Sequence, residues 1–316
     1  MAPEDAASNP YQAMTAELAR QALAAARDAS PHRPRGEEWI CSLTVGVPAA
    51  RLLAGGTENA ASDDTGSIKN GFDQLTGAAK AFRENRTVRF TDGFGHSRPT
   101  YGLLLIHLQL SALHVASDRL SDADRAACFR QLDAVRELID LLQQTYPAEE
   151  ENDNIESSVA EVAMRLWLGL CRLDLALLQE GRTDDAAALQ SVNEQLKQGD
   201  KLQALHPRDA SDPIDDWTYR ELVALHALDR LAGVTARHDW REAVRSAALF
   251  HEGHTQPDYI TYQPWALAAF AREADTRMFA EQQLHDVTVH LNTGGAAAAL
   301  VPALLLADAA ASLSAQ

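Results

Sequence analysis

Residues 101–120 read YGLLLIHLQLSALHVASDRL, and the fold turns on this stretch. Apolar side chains crowd it from end to end, which predicts a strongly apolar helix. Ser121 follows with N-cap chemistry. Asp124, three residues on, makes a near capping box, so a second helix is predicted over 121–145. Working toward the C-terminus, the pattern recurs. An acidic linker over 147–154 leads to a helix over 156–180, closed by Gly181 at a C′ position, and Thr183 caps the next helix, to about residue 205. Past a loop over 206–213, Asp215 or Asp216 caps a helix to Val234, and Asp239 caps another to about Thr255. After Pro264 a helix runs in two pieces from Trp265 to His290. Asn292-Thr-Gly-Gly295 separates it from a final apolar helix over 296–313.

These starts, near Tyr101, Glu156, Asp216 and Trp265, lie roughly 50–60 residues apart, the size of one helix-turn-helix unit. The turns are alike too: Arg119-Leu-Ser-Asp122, Gly181-Arg-Thr-Asp184 and Ala236-Arg-His-Asp239 each introduce a second helix. A single hairpin leaves an apolar face uncovered, so neighbours must stack. The expectation is an all-α fold of stacked antiparallel hairpins over 101–316, one continuous unit. The stack closes into an α/α toroid or stays an open α-solenoid. Aromatic and histidine residues crowded at inner helix ends favour the ring.

Residues 1–100 are predicted to form an N-terminal helix and an irregular region packed on that body. Met14, Leu18, Ala22 and Ala25 give one apolar helical face over 10–29, and Ser30-Pro31 stops it. The stretch 39–47, WICSLTVGV, reads as a short strand or a buried helical turn. Short helices are expected at 48–54 and 71–85, an extended piece at 87–90, and flexible chain at Asp92-Gly-Phe-Gly-His96.

The balance of 28 Lys and Arg against 45 Asp and Glu gives a net charge of −17. Such a chain repels phosphate backbones and acidic membrane surfaces, so neither nucleic acid nor membrane is an expected partner. Cys41, Cys128 and Cys171 are widely spaced, with no CxxC pair, so a cysteine zinc site is not expected. The apolar run at 296–313 falls short of the ~20 residues of a membrane span and reads as a buried helix. The first ten residues lack a basic and apolar leader, and a cytoplasmic location is expected.

Chemistry-bearing groups concentrate in His251-Glu-Gly-His-Thr-Gln-Pro-Asp-Tyr-Ile-Thr-Tyr-Gln-Pro-Trp265. Pro257 must break the preceding helix, leaving a connection rich in binding groups on a rigid scaffold. His251 and His254 lie about one turn apart, a spacing that suits a shared metal with Asp258 or Glu252. It equally suits capping of the helix C-terminus, and capping is the stronger reading, so no metal is assigned. His254, Asp258 and His226 are the candidate catalytic groups, with His226 or His254 as acid or base. Tyr259, Tyr262 and Trp265 form a candidate aromatic wall that, with His251 and Asp216, would hold substrate. His226, and the pair His107 and His114, read more readily as satisfied core histidines. Asp212-Pro-Ile-Asp215-Asp216 has neither DxDD nor DDxxD spacing.

The segment 255–265, with Trp240-Arg-Glu-Ala243 before it, resembles uncharacterised bacterial proteins of the α/α-toroid fold seen in terpenoid cyclases and protein prenyltransferases, over residues 101–316. The resemblance implies a fold. The QW repeats and DxDD acid of the cyclases are absent, so it implies no activity. Two functions are expected from these readings. One is a pocket for a carbohydrate or isoprenoid-like small molecule at the rim of an α/α ring. The other is a non-catalytic scaffold for a protein partner. No cofactor is indicated.

Overall fold

Pro10 opens helix α1 (Pro10–Ala26) with its preset φ, and the Asn9 side chain caps it by accepting from the Tyr11 N–H at 2.9 Å. This is seen in a computed structural model, which describes residues 9–27, 38–55, 63–118, 120–145, 155–180, 204–205, 208, 213–255 and 262–314. The stretch at 39–47 realises both of its alternatives: strand β1 (Glu38–Ser42) passes into a 3-10 turn (Leu43–Gly46) and then helix α2 (Val47–Leu53). Helix α3 (Asp63–Arg83) begins well ahead of the predicted residue 71. Strand β2 (Thr87–Thr91) pairs in parallel with β1, Glu38 opposite Thr87 and Ser42 opposite Thr91. A parallel pair needs a crossover, which α2 and α3 supply. The Asp92–His96 segment is not loose. Asp92 Oδ1 accepts from the Phe94 and His96 N–H groups, each at 2.9 Å.

The decisive apolar stretch is helix α4 (Pro99–Ala116), whose residues from Tyr101 to Leu110 are all buried. A helix apolar all round must be enclosed all round. Ser121 caps α5 (Asp122–Phe129), its Oγ accepting from the Asp124 N–H at 3.1 Å. The helix expected to continue to 145 is interrupted and restarts as α6 (Leu132–Thr145). Then come α7 (Ile155–Glu180), α8 (Ile214–Thr235), α9 (His238–His254), α10 (Leu267–Arg272) and α11 (Arg277–Ser314). The helix expected over 183–205 falls almost wholly outside the described residues.

Two predicted caps work differently from expectation. Asp215 and Asp216 stand in the first turn of α8, and its N-cap, Pro213, makes no side-chain bond. Asp239 likewise stands in the first turn of α9, paired with Arg237 at 3.0 Å. These carboxylates favour the helix starts through the macrodipole. Between α8 and α9, Ala236 adopts a left-handed conformation with φ 53°. The break predicted at 292–295 is a kink within α11, where Gly295 has φ 72° and ψ −175°.

The fold is all-α. α2 packs on α4, α4 on α7, α7 on α8, α8 on α9 and α10, α10 on α11, and α11 on α2. α3 and α6 pack together, α6 meets α7, and α1 lies along α11. One continuous apolar core runs through these contacts, from Tyr11 on α1 to Leu313 on α11. The run at 296–313 is a buried helix. By length and composition Ala274–Ser314 would suffice to cross a membrane, but 83% of its most apolar window is buried within the structure.

Candidate functional site

Asp308 interrupts the apolar run of α11, and its side chain is fully buried. A lone carboxylate there would be untenable without partners. His107 of α4 supplies one, Nε2 to Oδ1 at 3.0 Å, and His226 of α8 another, Nε2 to Oδ2 at 2.8 Å. Arg230, one turn beyond His226, brings its Nε to 3.4 Å from Oδ2. Burial pushes the Asp308 carboxyl up, but Arg230 and the two imidazoles outweigh it and hold the group well below the usual carboxylate range.

The chain of bonds continues on both sides. His107 Nδ1 donates to Asp174 Oδ2 of α7 at 2.5 Å. Burial alone would lower the His107 pKa; the Asp174 and Asp308 carboxylates reverse this and raise it to about 9. His107 is therefore an imidazolium at neutral pH, donating from both nitrogens. At the other end the Ala266 N–H donates to His226 Nδ1 at 3.2 Å, which leaves the hydrogen on Nε2 to face Asp308. Ala266 aims that N–H from a left-handed conformation, φ 59°, uncommon for a residue with a Cβ. Indole rings wall the chain. Trp167 stacks on His226 with centroids 5.5 Å apart, and Trp265 meets His226 edge-on at the same separation. Trp167 is fixed by donating to the Val223 carbonyl at 3.0 Å.

Asp174 is where this buried chain reaches open space. Its Oδ1 has no partner among the described residues. It borders a cavity of about 710 Å³ at the C-terminal ends of α4, α7, α8 and α11. Leu53, Leu110, Val115, Leu177 and Val244 give much of the wall an aliphatic character; His114 also lines it, but no Phe, Tyr or Trp among the described residues does. Charged side chains interrupt that wall at Asp174, Asp229, Arg230, Arg241, Arg245, Arg272 and Glu273. Arg272 grips Asp229 with two bonds, 2.8 and 3.0 Å, and also donates to Ser312 Oγ at 2.6 Å. Arg241 and Arg245 enter from the first half of α9. Ser111 Oγ, also on the wall, lies 3.5 Å from His107 Nδ1. Because that nitrogen already donates to Asp174, it offers Ser111 no lone pair, and no nucleophile is activated there.

The residues singled out by the sequence divide. His226 and Trp265 are buried together in the charge chain. His251 is fully buried near Glu221, Nε2 to Oε2 at 3.5 Å, and its ring packs on Trp217. His254 is exposed, stacks on Phe250 and bonds that residue's carbonyl through Nδ1 at 3.0 Å, a C-terminal capping contact. Asp216 is exposed at the start of α8. Tyr262 is exposed and leans on His290 with centroids 5.0 Å apart. Asp258 and Tyr259 lie outside the described residues. His254, Asp216 and Tyr262 are thus not brought to the His226 cluster, and none of the described residues among these lines the cavity. Sequence reasoning missed Asp308, Asp174 and the arginines. Asp308 carried a signal, as the lone charge in 296–313.

No protein-family model, no curated protein and no solved structure matches the chain.

Proposed function

We propose that the protein binds a small, largely aliphatic molecule with a polar end in the cavity bordered by Asp174. One observation carries the reading: a fully buried chain of charge, from His226 through Asp308 and His107, ends on a cavity wall at Asp174. Buried ion pairs contribute little net stability over apolar packing. Where such a chain meets a concave, mostly apolar space, it suits a role in positioning a ligand-contacting group. Of the two ligand classes expected, the aliphatic wall suits an isoprenoid-like body better than a sugar, which favours aromatic platforms.

The architecture behind this reading is an α/α ring. Support comes from the sequence of packed pairs, α2 to α4, α7, α8, α10, α11 and back to α2, and from the shared orientation of α4, α7, α8 and α11, whose C-terminal ends meet at the cavity. Thermal-shift and calorimetric titration with farnesol, decanol and maltose test the proposal, alongside Gly233→Trp. Gly233 lines the cavity, and a Cβ there meets nothing within 4 Å, so the indole can fill the space without disturbing packing. Farnesol or decanol should raise Tm in the parent and not in G233W, with maltose inert in both. Failure of both alcohols to bind, or equal binding by G233W, overturns the reading.

A further inference from the structure

Helix α9 places Arg241 and Arg245 one turn apart at the cavity, both exposed. Like charges at this spacing cost a helix a few tenths of a kcal/mol, with nothing gained unless a partner sits between them. Partners within the fold are poor. Arg245 reaches Glu242 at 3.4 Å and Glu273 at 3.7 Å, both at the surface. The Arg241 guanidinium has no partner among the described residues. The other cavity arginines differ: Arg272 is held by Asp229, and Arg230 by Asp308. Asp174 in turn is answered by His107. Of the four cavity arginines, Arg241 alone is left without a carboxylate among the described residues, in a chain whose total charge is −17. Helix C-termini, which surround the rest of the cavity, carry the opposite partial charge, so the α9 side is where an anion is favoured.

We infer that the cavity's ligand is an aliphatic monocarboxylic acid, its carboxylate held by Arg241 with Arg245 beside it and its apolar body lying toward Leu110 and Leu177. One unpaired guanidinium matches a monoanion and leaves a dianionic head undercompensated. A planar guanidinium pairs a carboxylate through two parallel bonds, a geometry that a hydroxyl cannot use. The inference rests on the pocket reading above, and its test separates the two. Calorimetric titration compares decanoate, decanol and decyl phosphate on the full chain and on Arg241→Ala, whose exposed position spares the fold.

Decanoate should bind the parent about tenfold more tightly than decanol, the scale of one charge-assisted contact. It should also bind more tightly than decyl phosphate. R241A should erase the acid's advantage and leave decanol binding unchanged. Equal affinity of acid and alcohol, or an equal loss of both in R241A, overturns the carboxylate assignment while the pocket stands. Tighter binding of decyl phosphate overturns the monoanion. Binding by none of the three overturns pocket and inference together.

Discussion

Replacing His107 with glutamine should remove a pH-dependent share of the protein's stability. The folded-state pKa of His107 is raised from 6.5 to about 9 by Asp174 and Asp308, against the opposing pull of burial. A group raised on folding stabilises fully below its unfolded value and loses that contribution as pH climbs through the folded value. The window is therefore pH 6.5 to about 9. A shift of this size is worth on the order of 3 kcal/mol. Breaking a buried charged pair by deleting one partner costs a similar ~3–5 kcal/mol. Equilibrium urea unfolding of parent and His107→Gln, at intervals from about pH 6 to pH 9, reads the difference directly. Groups that do not touch His107 titrate alike in both proteins and cancel; Asp308, whose carboxyl Arg230 also holds low, loses only part of its support. The buried Cys41 thiol, pushed up to about 12, makes folding sensitive to pH only from near 9 upward. The gap between the two proteins should be about 3 kcal/mol at the acid end and close steadily toward pH 9. Parallel stability curves would refute the claim that His107 is held as an imidazolium between two carboxylates.

Further outcomes follow from other contacts. Arg272→Ala should cost about 2 kcal/mol in urea unfolding, because it strands the buried Asp229 carboxylate that it holds at 2.8 and 3.0 Å. Gly71→Ala should cost roughly 1–3 kcal/mol by the same measurement, since its methyl would collide with the buried Gln109 amide and push it off the Val45 carbonyl. Ala236→Gly should raise stability by about 1 kcal/mol, because the exposed residue sits at φ 53° at the end of α8 and glycine adopts that conformation freely. The likeness of the turns gives the same hint, for Gly181 stands where Ala236 does.

The helical class was legible because it is written in local periodicity. Tyr101 to Val115 is apolar enough that no other element fits, and Pro10, Ser121 and Pro99 mark helix starts by chemistry each residue carries alone. The carboxylates near other helix starts were legible as markers but not in their role, since Asp216 and Asp239 act from the first turn. The site was harder to read. His226 stands out in the sequence as a polar group on an apolar helix, but nothing on that helix says what it meets. Its actual partner is Asp308, 82 residues away in sequence. Periodicity says which face is buried; it does not say which distant face meets it. The same holds for Asp174, whose bond to His107 spans 67 residues. Composition offered a faint pointer here: one carboxylate in 296–313 had to be paired, and the unassigned histidines of α4 and α8 were the available partners.

Asp308 has a consequence for the order in which the chain assembles. It is the common acceptor for His107, 201 residues earlier, and for His226. Before the second half of α11 docks, His226 and the Arg230 guanidinium lack their shared carboxylate, and Asp174 alone answers His107. The polar keystone delivered by residues 296–314 thus ties α4 and α8, which both pack on α7, to the C-terminal helix through one carboxylate.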